Sequence, residues 1–398
     1  MDSTLPRDGR YIRQPGGFRA FVPASLPLDP PVRMDDAIIH LLSTADQAIG
    51  RLDGVAHTLP NPDLFVAMYV RREAVDSSQI EGTQSTLQDV LAFELDPRTK
   101  DIPNDVEDVV NYVRAMNYGL DRLSTLPLSL RLIREIHGEL LKGSRGSEKS
   151  PGEFRTTQNW IGPGHASLQR ATFIPPAVGD MHHALHNFER FLHESGNLPT
   201  LIHCGIAHVQ FETIHPFLDG NGRVGRLLIA FLLVHKGVLH RPLLYLSTFL
   251  KHRRQEYYDR LMAVRDEGDW EGWLRFFLLG LAITAEEAAN TARAIVQLRE
   301  DHRELLRAQH LGLNEVRLLD LLFLRPLVNV KLVSELLEIS DVTASRVIDR
   351  LVQVNLLEEI SGRQRNRIFR YEPYWRLFQD AQQPDDGDEP IQLTTSAP

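Results

Sequence analysis

The sequence predicts a mainly α-helical protein interrupted by two β-hairpins, and three observations carry that reading. Leu201, Ile202, Ile206, Val209 and Ile214 recur near helical spacing, and a second, strongly apolar run from Arg223 to Val238 follows after a short loop. Pro151 to Pro176 is rich in Gly and Pro and holds the clusters Arg155-Thr156-Thr157 and Thr172-Phe173-Ile174, the composition of a hairpin rather than a helix. Beyond Gly312, three short helical patterns are followed by two strand-like runs flanking Ser361-Gly362.

The 398 residues are 42% hydrophobic, enough for two or three domains, and the net charge of −9 argues against a protein that coats nucleic acid. Met1 to Pro31 has no apolar run of signal or membrane length, and the single cysteine, Cys204, suits a reducing compartment. A soluble, cytoplasmic protein with no membrane partner is expected. The segments expected are 1–110, an N-terminal arm and helical region; 111–285, a central core; 286–378, a linker helix and C-terminal domain; and 379–398, an acidic tail.

In chain order, Pro23, Pro27, Pro30 and Pro31 predict an extended arm lying over the body. Ser77-Ser78-Gln79-Ile80-Glu81-Gly82 puts Ser77 and Glu81 four apart on one helical face, with Gly82 removing a side chain where close packing is needed. The Pro151 to Pro176 hairpin comes next. His182, His183 and His186 include two imidazoles four apart, but no glutamate completes a zinc-protease motif, so an exposed helix face is expected. His203 and Cys204 lack ligand spacing.

The chemistry concentrates in the twelve residues from His215 to Arg226, His-Pro-Phe-Leu-Asp-Gly-Asn-Gly-Arg-Val-Gly-Arg. Pro216 ends one helix, so His215 sits where helix gives way to turn, and Leu218 to Gly222 opens the next helix. A helix start carries unpartnered N–H groups and partial positive charge. Gly220 and Gly222 permit backbone angles that aim those donors at one point, an anion nest suited to phosphate. Asn221 adds an amide for a phosphate oxygen, and Arg223 and Arg226, three residues apart, can hold two further phosphates. Asp219, the one carboxylate of the loop, reads as a Mg2+ ligand, with a helix N-cap as the alternative. A histidine, with an unperturbed pKa of ~6.5, suits removing a proton from an attacking hydroxyl, and His215 is placed to do so.

This stretch resembles the Fic family signature HPFxxGNGRxxR at all eight fixed positions. The resemblance runs from about Phe21 to Phe378 and implies a helical Fic core with a hairpin flap. It implies an enzyme, a protein adenylyltransferase that moves AMP from ATP, with Mg2+, onto Ser, Thr or Tyr hydroxyls of target proteins, itself included. His215 is the implied base for in-line attack on the α-phosphorus. The implied nucleotide contacts are Glu81, Gly220, Asn221, Gly222, Arg223, Val224, Gly225, Arg226, Tyr257 and Tyr258. Doc-type relatives, which transfer phosphate, carry lysine in place of the second cradle glycine, so Gly222 favours AMP transfer.

Ser77, Glu81 and Gly82 look like the [S/T]xxxE[G/N] inhibitory helix of the Fic class that carries its brake before the core. That likeness implies that Glu81 pairs with Arg226 and keeps ATP from its productive pose. The Pro151 to Pro176 segment is similar to the flap that aligns a target backbone by strand addition. Tyr257 and Tyr258 match a position of contact with base and ribose. Arg265 stands seven beyond Tyr258, where some relatives have asparagine, and this leaves base recognition open. A homodimer is a further expectation. Two rival functions are a nucleotide-sensing transcriptional regulator and an enzyme that removes AMP from modified proteins on the same core.

In the C-terminal part, Asn314 to Phe323 and Lys331 to Glu338 read as helices, Ser340 caps a third from Asp341 to Val354, and Leu356 to Tyr371 forms the hairpin. Three helices and a hairpin make a winged helix. Ser345, Arg346 and Arg350 can face a DNA groove, with Arg363, Arg365, Arg367 and Arg370 on the wing. Nine acids against ten bases between Gly312 and Phe378 leave no strong field for phosphate, so protein contact or dimer organisation is an equal expectation. The tail from Gln379, with Asp380, Asp385, Asp386, Asp388 and Glu389 and no basic residue, is expected to be disordered.

Overall fold

A computed structural model describes residues 7, 9–58, 62–98, 102–143, 148–162, 167–194 and 196–379. The acidic tail beyond Gln379 lies outside the described residues. The chain divides into two compact units, Met1–Ala289 and Asn290–Pro398.

The first unit opens on two antiparallel strands, Arg10–Arg13 (β1) and Arg19–Val22 (β2), in register from Arg10 against Val22 to Arg13 against Arg19. Among the described residues, eleven α-helices follow: Asp36–Thr58 (α1), Pro62–Ile80 (α2), Leu87–Leu95 (α3), Val106–Leu123 (α4), Leu130–Leu140 (α5), Val178–His193 (α6), Thr200–Ile214 (α7), Asn221–His235 (α8), Ser247–His252 (α9), Arg254–Glu267 (α10) and Trp270–Ala308 (α11). The last of these, 39 residues long, belongs to both units. The arm after β2 has no regular secondary structure from Pro23 to Asp35 and bends at 26–27 and 29–30 rather than running fully extended. It is fastened by the amide of Asn187 on α6, which accepts from Leu26 N at 2.7 Å and donates to Leu26 O at 2.8 Å.

The core is built round α7 and α8. All positions of α7 from Leu201 to Ile214 are buried, and α8 buries Leu227 to Leu233 without a break. A helix buried on every side has no solvent face and sits inside the bundle. Helices α4, α5 and α6 pack around this pair. Phe217, fully buried in the α7–α8 loop, stacks on His137 of α5 with ring centroids 3.7 Å apart, and burial of such a side chain stabilises by roughly 1.5 to 3 kcal/mol.

The Pro151 to Pro176 segment is less regular than the hairpin expected. Its described residues hold one antiparallel bridge, Ile161 with Phe173, and a 3-10 turn at Leu168–Arg170; residues 163–166 lie outside the description. The prolines at 175 and 176 have no N–H to donate, which stops a ladder from extending past Phe173.

The second unit contains Leu313–Leu322 (α12), Leu327–Val328 (β3), Val330–Leu337 (α13), Asp341–Gln353 (α14), Leu357–Glu359 (β4), Phe369–Tyr371 (β5) and Glu372–Gln379 (α15). The strands form an antiparallel sheet ordered β3-β5-β4, with Leu357 opposite Tyr371 and Glu359 opposite Phe369. Ser340 caps α14 by accepting from Thr343 N. The three helices and the hairpin expected here are present. The two-residue β3 and the helix α15, which buries Tyr374, Trp375 and Phe378, were not foreseen.

Candidate active site

The α7–α8 loop has the backbone that its residues demand. His215 ends α7 with φ 48°, and Gly220 precedes α8 with φ 74°, two left-handed residues that reverse the chain within a few positions. Asn221 locks that reversal. Its side chain accepts from Phe217 N and donates to Phe217 O, both at 2.8 Å, and the residue is buried. Both ends of its amide are thus bonded to backbone, a loop-holding role beside the phosphate contact expected of it. Gly222 differs from expectation, because it lies inside the first turn of α8 and needs no special backbone angle. The loop uses its lack of a side chain.

The first-turn amides of α8 have no acceptors within the helix, and the helix dipole adds positive charge there. Arg223 is buried, and its Nε has no hydrogen-bond partner among the described residues. A buried guanidinium N–H left unpaired is costly, so this donor suits an incoming anion. Asp219 lies half-exposed, and both its contacts, from Gly220 N at 2.6 Å and Arg223 Nη2 at 3.6 Å, fall on Oδ1. Its Oδ2 is thus left for a hard cation, and an exposed carboxylate beside a phosphate nest fits Mg2+. Gly220, not Asp219, is the N-cap residue.

His215 donates from Nδ1 to Glu212 O at 3.3 Å, which leaves Nε2 as the basic nitrogen. Burial, reinforced by the charges of Arg265 and Arg155, pulls its pKa down to about 3, so the ring is neutral near pH 7.

Glu81 follows the C-terminus of α2 and reaches this loop. Its Oε1 accepts from Arg226 Nη2 at 2.7 Å, while Ser77 accepts from Arg226 Nε through Oγ at 2.8 Å and from Nη2 through its carbonyl at 2.9 Å. The Arg226 side chain is 1% exposed and that of Glu81 39%. Although burial opposes it, the Arg226 charge holds the Glu81 carboxyl below the usual carboxylate range. Ser77 and Glu81 therefore share one helical face and one partner. Gly82 has φ 98° and open space where a side chain would stand, so its glycine serves the chain turn rather than the close packing expected.

Helix α2 is itself clamped. The buried Glu73 accepts from Tyr112 Oη at 2.9 Å and Ser247 Oγ at 2.5 Å, and burial pushes its carboxyl up to about 7. Asp76 accepts from Thr248 Oγ1 and Lys251 Nζ, each at 2.8 Å.

The remaining residues expected at the nucleotide separate into two groups. Val224 is fully buried, and Gly225 faces α7, where an added Cβ would stand 2.2 Å from Glu212 Oε1; neither offers a side chain to the loop mouth. Tyr257 is also a core residue. Its hydroxyl donates to His208 Nε2 at 2.9 Å, and His208 Nδ1 donates to Gly225 O at 3.0 Å, a buried brace between α10, α7 and α8. Tyr258 is half-buried beside Arg254 and remains near the charges of Glu81 and Arg226.

Four residues at the site carry no signal in the expectations above. Arg155, buried, donates from Nε to His215 O at 3.1 Å and from Nη2 to Pro176 O at 2.5 Å, and its backbone N donates to Pro216 O at 2.9 Å. Asn159 donates to His215 O at 3.2 Å and Phe217 O at 2.8 Å. His137 accepts from Gly152 N and donates to Asp219 O at 3.1 Å. Glu212 is buried with its carboxyl pushed up to about 7 by burial. Arg265, the departure noted in the sequence, is buried over the Phe173 ring at 3.9 Å and hydrogen-bonds Thr213.

Residues 39–121 match the family model described as Fic/DOC family N-terminal, and residues 127–233 match that described as Fic/DOC family. These matches give the chain a Fic N-terminal domain and a Fic domain. The protein adenylyltransferase Fic of Drosophila grimshawi is 31% identical over 196 residues, which are 49% of this chain and 36% of that protein. The match to the Drosophila melanogaster protein of the same description is likewise 31% identical over 196 residues, so the aligned part spans about a third of these relatives (35% here). Among solved structures, a Fic family protein from Desulfovibrio desulfuricans G20 superposes with a TM-score of 0.55 at 21% identity, covering 86% of this chain and 97% of that one. It shares the fold. No described helix is long and apolar enough to cross a membrane.

Proposed function

We propose that this chain is a protein adenylyltransferase whose phosphate cradle is held shut by its own Glu81. The observation that carries the reading is the contact of Glu81 Oε1 with Arg226 Nη2 at 2.7 Å, made where a Cβ on Gly222 would lie 2.2 Å from the same oxygen. An anion already stands against the helix start that would receive the triphosphate. With Glu81 in place, ATP can enter but its terminal phosphate lacks Arg226, and the α-phosphorus is not aligned.

When Glu81 withdraws, Arg226 and Arg223 take the outer phosphates and the α8 amides the inner ones. His215 Nε2 then removes the proton from a target Ser, Thr or Tyr hydroxyl as its oxygen attacks the α-phosphorus, and pyrophosphate departs. Asp219 would hold Mg2+, which would supply charge neutralisation for that leaving group. A charge-assisted hydrogen bond contributes ~1.5 to 3 kcal/mol, about 10- to 150-fold. Partial exposure of Glu81 places the lock towards the lower figure.

Intact mass after incubation with ATP and magnesium tests the reaction class. A gain equal to AMP, absent in His215→Ala, supports the proposal, and a gain equal to phosphate overturns it.

A further inference from the structure

We infer that Asp53, His57 and His240 form a site for a divalent transition metal of the zinc type, built from none of the cradle residues. Asp53 and His57 are four apart in the last turns of α1 and so share a face, while His240 lies in the connection between α8 and α9. Among the described residues, no other group of three His, Cys, Asp or Glu side chains brings its donor atoms within 4.8 Å of one another. His240 Nδ1 lies 2.8 Å and His57 Nε2 3.5 Å from the same oxygen, Asp53 Oδ2.

The carboxylate is aimed as well as placed. Its other oxygen, Oδ1, accepts from the backbone N of His240 at 2.9 Å, which turns Oδ2 towards both rings. Outer hydrogen bonds of this kind orient metal-binding carboxylates. The two rings meet edge to face with centroids 4.7 Å apart, so their nitrogens converge without stacking. A surface ion pair with Asp53 needs one histidine. The second imidazole on the same oxygen is a surplus that a cation accounts for.

Two imidazole nitrogens and one carboxylate oxygen make a borderline-soft donor set that suits Zn2+, with water completing the tetrahedron. Asp53 is 16% exposed and the histidines 60% and 65%, so an ion reaches the site from solvent while its anionic ligand stays partly desolvated. A bound ion ties the end of α1 to the α8–α9 connection and stabilises the first unit against unfolding.

Calorimetric titration of the chelator-treated 398-residue chain with zinc chloride, beside thermal unfolding with and without zinc, tests this. The expected result is saturable binding of one zinc per chain together with a zinc-dependent rise in Tm. His57→Gln and His240→Gln should each weaken it at least about tenfold, whereas His182→Gln with His186→Gln, an exposed pair elsewhere on the unit, leaves it unchanged. Both target histidines are exposed, so the variants should retain the parent far-ultraviolet dichroism. Binding that survives His57→Gln and His240→Gln, that is equally weakened by the control pair, or that never saturates overturns the site.

Discussion

A methyl group on Gly222 would stand 2.2 Å from the Oε1 of Glu81, so the carboxylate that follows α2 lies directly against the first turn of α8. The partial positive charge of that helix start is already neutralised by a residue 141 positions away in the chain. In the proposed function, phosphate and Glu81 compete for one place.

Asn221→Ala should cost stability before it costs nucleotide contact. The change leaves Phe217 N and O, both buried in the loop, without their 2.8 Å partners. An unpaired buried group costs about 1 to 3 kcal/mol, so denaturant midpoints should fall clearly with an unchanged slope. A variant as stable as the parent would falsify the loop-staple role.

Tyr257→Phe and Tyr258→Ala should differ in kind. The former removes the buried hydroxyl that donates to His208 and is expected to cost about 1 kcal/mol of stability with little change in the KM for ATP. The latter, at a half-buried residue near Arg226, should raise that KM with little change in stability. Denaturation and initial-rate measurements on the two proteins, showing the opposite assignment, would restore Tyr257 to the nucleotide.

The pH dependence follows from the His215 environment. Burial and the Arg265 charge disfavour protonation, so the base stays neutral as pH falls from 8 past the ordinary histidine value of about 6.5, and kcat/KM of a Glu81→Gly protein should show no inflection there. Because a neighbouring cation lowers a histidine pKa, Arg265→Met should raise it and move the acid limb to higher pH. An unchanged acid limb in that variant contradicts the assignment.

The α7–α8 loop and its helix start were legible because their parts are local: a helix start, two glycines and two arginines lie within seven residues. Ser77 and Glu81 were legible for a similar reason, since spacing of four defines a helix face. Arg155 and Asn159 were not, because their partners are carbonyls of His215, Pro176 and Phe217, which only the folded loop brings near. A buried arginine leaves no trace in hydrophobic periodicity. Tyr257 was misplaced because an aromatic at helical spacing reads the same whether it faces a nucleotide or, as here, a buried histidine. The Ile161 to Phe173 bridge shows that Gly and Pro content marks a chain reversal without fixing how many strand pairs it holds.

The most direct measurement of the central claim is the rate of AMP incorporation from ATP and magnesium, read by intact mass, for Glu81→Gly beside the parent chain. Removal of the carboxylate frees Arg226 and the space over Gly222, and the rate should rise by at least about tenfold. Equal rates in the two proteins would contradict the account, because Glu81 would then rest on the cradle without closing it.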